Sequence, residues 1–142
     1  MRPRVGVAIL VALGSATMLS GCAIADNRCA KAYEAAALAV DGVATASFSC
    51  SSGFEHGSQG GSVTVSVESE DEALPVIDEV YRAFASSSEL EDAWDGSPSF
   101  FLEGAEKTDP ENLLDDSQLG IGDDPLIFTL REHYDIHPPG TD

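Results

Sequence analysis

Three histidines, His56, His133 and His137, hold this chain's capacity for acid–base or metal chemistry near neutral pH. His133, Asp135 and His137 alternate at i, i+2 and i+4 in PLIFTLREHYDI. Read as a strand, that spacing puts all three on one polar face, where neighbours at i and i+2 can share a zinc or nickel ion. The outer pair stand about 13 Å apart on a straight strand. Solvent-facing polar residues are therefore the expectation there, with the trio kept as a metal candidate. His56 sits beside Glu55 in the Gly/Ser-rich run SSGFEHGSQGGS, near Ser58. A small hydrolase using His56 or His133 is the enzyme alternative, but no G-x-S-x-G elbow surrounds any serine. The glycines of that run, Gly57, Gly60 and Gly61, lack the lysine of a phosphate loop. Asp109, Glu111, Asp115, Asp116, Asp123 and Asp124 crowd one segment without EF-hand spacing, Leu119 standing where a ligand is needed. A divalent-cation-binding face is a further alternative there, and a solvated acidic surface the expectation. Trp94, Phe100 and Phe101 form the densest aromatic patch and are assigned to the core. No cofactor is implied.

These residues have to be positioned by a short series of elements. RCAKAYEAAALAV is helical by propensity and is stopped by Asp41-Gly42. VATASFSC alternates, with Ala44, Ala46, Phe48 and Cys50 on one face, and SVTVSVES alternates through Val63, Val65 and Val67. The two strands predict a hairpin across the Gly/Ser loop. Ser69-Glu70-Asp71-Glu72 reads as a capping box that opens a helix striped by Leu74, Ile77, Val80, Tyr81 and Phe84. Pro75 is expected in its first turn. PSFFLEG predicts a strand, DPENLLDD a short helix, and PLIFTLREHYDI a last strand with Leu126, Phe128, Leu130, Tyr134 and Ile136 on one side. The expected fold class is α+β: a small, mainly antiparallel sheet with helices on one face and one disulfide. The middle of the chain resembles part of a ferredoxin-like βαββαβ unit, as in small metal-carrier domains. The C-x-x-C of those carriers is absent, so their metal chemistry does not carry over.

The N-terminal end resembles a different and more specific pattern. Arg2 and Arg4 precede fifteen uncharged residues, Val5 to Leu19, a run short of the roughly 20 apolar residues of a membrane span. Leu19-Ser20-Gly21-Cys22 follows, an aliphatic residue and two small ones before a cysteine. This resembles the signal peptide and lipobox of bacterial lipoproteins. The resemblance implies removal of residues 1–21 and acylation of Cys22, by palmitate or a similar chain, as the lipid anchor. Residues 22–27 are then a lipidated cysteine and short tether, 28–137 a single domain, and 138–142 a disordered tail. Low Lys and Asn with abundant Ala, Gly, Val and Asp gives the chain a composition that resembles that of actinobacterial proteins.

Cys29 and Cys50 then remain as an even pair in an oxidising compartment, which predicts a structural disulfide stapling helix to strand. The formal net charge of the chain is −18, and the part from Cys22 onward, without Arg2 and Arg4, carries −20 over 121 residues. That field repels nucleic acid and anionic surfaces. Arg28 and Lys31 lie within ten residues of Cys22 and locally oppose it. The expected protein is a membrane-anchored lipoprotein on the extracytoplasmic face of the cell membrane. Its partners are the bilayer, reached through Cys22, and an envelope protein, and it acts as a non-enzymatic binding module.

Overall fold

The computed structural model describes residues 21–51 and 58–140, with residues 21–26 and 58 described by their backbone only. The leader before Gly21 and the hairpin residues 52–57, His56 among them, lie outside the described residues. The elements run α1 (Gly21–Leu38), β1 (Val43–Ser51), β2 (Ser58–Val65), α2 (Glu70–Ser86), β3 (Ser99–Leu102) and α3 (Ile127–Tyr134), with short 3-10 turns at Pro110–Asn112 and Ser117–Leu119. The class is α+β with one disulfide, as the sequence predicts.

The expected hairpin forms, with Phe48 facing Gly61 and Cys50 facing Gln59. A Cβ on Gly61 would stand 2.2 Å from the Phe48 ring, so only glycine lets that ring lie across the neighbouring strand. Gly42, which follows α1, has φ +95°, and a Cβ there would meet Val76 at 2.9 Å. Glycine is therefore required twice over at that turn. β2 pairs with β3 in parallel, so the sheet of order β1-β2-β3 is mixed rather than mainly antiparallel. Ferredoxin-like character is correspondingly partial. It covers the helix–hairpin–helix segment and ends where β3 joins β2 directly.

α2 begins as its sequence predicts. The Ser69 hydroxyl accepts from the Glu72 N–H at 3.4 Å, and the Glu72 carboxylate accepts in return from the N–H of Glu68 at 3.1 Å. Ala73, Ile77, Val80, Tyr81, Phe84 and Ala85 are its buried face. Pro75 is the sixth helical residue, beyond the expected first turn; it is exposed, so the Asp71 carbonyl it leaves unbonded can be hydrated.

One expectation is overturned outright. The segment predicted as a last strand is α3, and its buried residues Ile127, Leu130 and Arg131, with half-buried Tyr134, follow helical spacing. Leu126 and Phe128, which alternation would put inside, are exposed. One isolated bridge, Asp95 to Leu126, is all the strand pairing this segment makes among the described residues. α3 packs on α2. It closes with Asp135 in the left-handed conformation, φ 53°, while the Ile136 N–H donates to the Arg131 carbonyl at 3.0 Å, a Schellman ending. The tether at 22–27 is part of α1. At the start of the segment read as a tail, Pro138 is buried.

The core lies between the sheet and the helices, built on Tyr33, Ala37, Phe48, Val63, Val65, Ile77, Val80, Phe84, Phe100 and Leu130. Tyr33 stacks on Phe48 at 5.1 Å and meets Phe84 edge-on at 5.3 Å. Cys29 and Cys50 are bonded, with Cα atoms 6.1 Å apart and a sequence separation of 21. The bond joins α1 to β1, and closing such a loop stabilises the fold by roughly 3 kcal/mol. Replacing both cysteines by serine is expected to lower Tm by roughly 12 °C. A calorimetric shift under about 3 °C would show that the staple contributes little.

Candidate functional site

α1 turns Arg28, Lys31 and Ala35 outward on one stripe, at i, i+3 and i+7, while Cys29, Ala32 and Tyr33 face the core. Across from that stripe runs the segment that leaves α2, bearing Glu89, Glu91 and Trp94. Between them lies a groove of about 450 Å³ floored by Ala32. Both carboxylates and both cations are exposed, and Trp94 is half-buried.

The far wall is held in place by a buried cation. The Arg131 guanidinium donates to the carbonyls of Ala85 at 3.2 Å, Ser87 at 2.7 Å and Leu90 at 2.9 Å, and it pairs with the carboxylate of Asp92. Ala85 and Ser87 end α2, so a positive charge lies where the helix dipole is negative. The same contacts tie down residues 87–92, the segment whose Glu89 and Glu91 line the groove with α1. Trp94 is pinned by its backbone: its carbonyl accepts from the Ile127 N–H at 2.8 Å and its N–H donates to Glu91 at 3.0 Å. Its ring lies 6.2 Å from that of Tyr33, whose hydroxyl donates to the Asp95 carbonyl.

Charge is unevenly used around this groove. Arg82 pairs with Asp78 and Glu79, and lies over the Tyr134 ring at 4.4 Å. Arg131 is spent on Asp92. Neither Arg28 nor Lys31 has a carboxylate within 4.0 Å among the described residues, and the same holds for a cation near Glu89 and Glu91. Two positive and two negative charges, unpaired among the described residues, thus line one groove, which is neutral in a chain of formal charge −18.

The residues with predicted chemistry are dispersed. His133 stands on α3 with its ring edge-on to Tyr134 at 4.7 Å, and no hydrogen bond of the described residues ties it to a serine or a carboxylate. His137 Nε2 lies 3.3 Å from Asp135, both exposed. A helix end, not a straight strand, therefore separates the two histidines. Among the described residues no three His, Cys, Asp or Glu side chains are gathered as metal ligands.

In the acidic segment three of the six carboxylates shape the loop. Asp109 caps the first 3-10 turn through the Glu111 N–H at 2.9 Å. Asp115 accepts from the Ser117 N–H at 2.8 Å, which holds its carboxyl below its ordinary pKa. Asp116 accepts the hydroxyl of Tyr81. The aromatic patch is likewise divided. Phe100 joins the core and meets Tyr81 at 5.4 Å. Its neighbour Phe101 is buried on the opposite face of the sheet, level with Thr64.

The sequence contained one signal for this groove, the outward pair Arg28 and Lys31. Glu89 and Glu91 carried none, because their placement depends on Arg131, more than forty residues away. No protein family, curated protein or solved structure matches this chain.

Proposed function

We propose that this chain is an extracytoplasmic lipoprotein, anchored through acylated Cys22, whose single α+β domain is a non-enzymatic binding module presented at the membrane surface. The observation that carries this reading is the continuity of α1. The cysteine that ends the lipobox-like Leu19-Ser20-Gly21-Cys22 is the second residue of the helix that also bears Cys29, Arg28 and Lys31. An anchor there is coupled to the domain by regular helix, which orients the groove relative to the bilayer as well as holding it close. The Cys29–Cys50 bond supports an oxidising compartment. No helix among the described residues is long and apolar enough to cross a membrane, so attachment in this reading falls to the acyl chains, each buried methylene adding about 0.8 kcal/mol. The working surface in this reading is the groove, whose charges offer binding contacts.

Labelling cells with an alkyne fatty acid tests the anchor. The wild-type protein is expected to take up label and sediment with membranes. Cys22→Ala is expected to lose the label and move to the soluble fraction. Persistent labelling of the alanine variant would refute the assignment.

A further inference from the structure

The groove combines three features that together define a ligand. Its α1 wall presents Arg28 and Lys31, one turn apart and free of carboxylates among the described residues, an arrangement that suits a phosphate oxyanion. Its opposite wall presents Glu89 and Glu91, equally free of cations, which suits an ammonium group. Trp94 also lines the groove, adding an indole, a ring type that attracts cations and suits the membrane interface. A simple anion would leave the carboxylates unpaired, and a simple cation would leave Arg28 and Lys31 so. A zwitterion pairs both. We propose that this groove binds the headgroup of a zwitterionic phospholipid, with phosphate on Arg28 and Lys31 and the ammonium on Glu89, Glu91 and Trp94.

Placement selects a membrane lipid as the source of that zwitterion, and this step rests on the anchored reading above. Arg28 follows Cys22 by six helical residues, about 9 Å along the axis. The headgroup layer extends roughly 5–8 Å from the hydrocarbon on each side, within reach of an extended arginine side chain. The neutral groove would also be the part of this acidic domain that approaches a membrane at least electrostatic cost. Headgroup capture would then fix the domain's orientation on the bilayer, which acyl chains alone leave free.

The chain has one tryptophan, so Trp94 fluorescence reports on the groove without a label. Both acylated protein in detergent and the full chain carrying Cys22→Ala would be titrated with dihexanoyl phosphatidylethanolamine, dihexanoyl phosphatidylglycerol and inorganic phosphate. A saturable change with the ethanolamine lipid is expected, half-complete on the order of 1 mM, and about tenfold weaker with the other two. Arg28→Gln with Lys31→Gln should weaken the ethanolamine response about tenfold. Glu89→Gln with Glu91→Gln should shift preference toward the anionic phosphatidylglycerol. All four side chains are exposed, so both variants should keep the wild-type circular dichroism. No saturable response, or an equal response to inorganic phosphate, would overturn the proposal. A response that persists while fatty-acid labelling fails would refute the anchor and leave the groove standing. The reverse result would refute the groove alone.

Discussion

Replacing Arg131 by methionine is expected to cost about 3–5 kcal/mol, a large share of the 5–15 kcal/mol typical of a small domain. The side chain is buried, and three carbonyls together with Asp92 use its donors. Methionine matches it in length but donates nothing, so the acceptors at the end of α2 are stranded. Lysine keeps the charge yet lacks the planar fork needed to reach Ala85, Ser87 and Leu90 together, so Arg131→Lys should fall between the two. Asp92→Asn is the informative control. The Asp92 side chain is 51% exposed, and the exposed half of an ion pair contributes only about 0–1 kcal/mol. Urea denaturation of the three variants would measure this. A loss under about 1 kcal/mol for Arg131→Met, or an equal loss for Asp92→Asn, would contradict the view that carbonyl capping dominates over the ion pair. The same substitution should also blunt the Trp94 response to phosphatidylethanolamine, because Arg131 folds the segment that carries Glu89 and Glu91.

Alkali is expected to unfold the domain in one step, carried by its tyrosines. The chain has three, and the pKa of each is raised above its ordinary value. Burial is the main cause in every case. Tyr33 is raised further by the charge of Asp95, Tyr81 by its hydrogen bond to Asp116, and Tyr134 by its hydrogen bond to Asp78. Because the folded-state pKa lies above the unfolded one, the folded protein keeps protons that the unfolded chain releases. The stabilisation is therefore complete below about pH 10 and is lost as pH rises above it. Tyr33 and Tyr81, fully buried, should each cost about 1.4 kcal/mol per pH unit in that range. Tyr134 is half-buried and contributes less. Phenolate absorbance at 295 nm should rise together with the loss of circular dichroism. Tyrosine titration near pH 10 with the fold intact would contradict this. Tyr33→Phe or Tyr81→Phe should move the midpoint to higher pH, whatever each variant costs at neutral pH.

The difference between α3 and the strand predicted in its place shows where local pattern misleads. Leu126, Phe128 and Leu130 alternate, which is a strand signal. Ile127, Leu130, Arg131 and Tyr134 also stand at i, i+3, i+4 and i+7, which is a helical one. The second was hidden because an arginine sits on the buried stripe, and nothing local marks an arginine as buried. Its solvation comes from the carbonyls of a helix ending some forty residues earlier. The set His133, Asp135 and His137 shared this fate, since its supposed common face belonged to the strand that does not form.

Other features were legible because their causes are local or obligatory. The capping box, the strand alternation through Phe48 and Val63, and the glycine that ends α1 are each set by neighbours a few residues away. The Cys29–Cys50 pair was legible because, once Cys22 is read as the anchor, the two remaining cysteines have only each other as partners. The parallel joining of β3 to β2 was not, because a four-residue strand carries no mark of its direction and α2 determines which way the chain re-enters the sheet. Nor was the groove. Arg28 and Lys31 could be seen on an exposed helical stripe, but a binding surface needs an opposing wall. That wall is delivered by Arg131 and by the packing of α3 on α2. Local sequence determines elements through interactions that span a few residues. Which charges finally face one another depends on long-range packing, and that is a property of the folded chain alone.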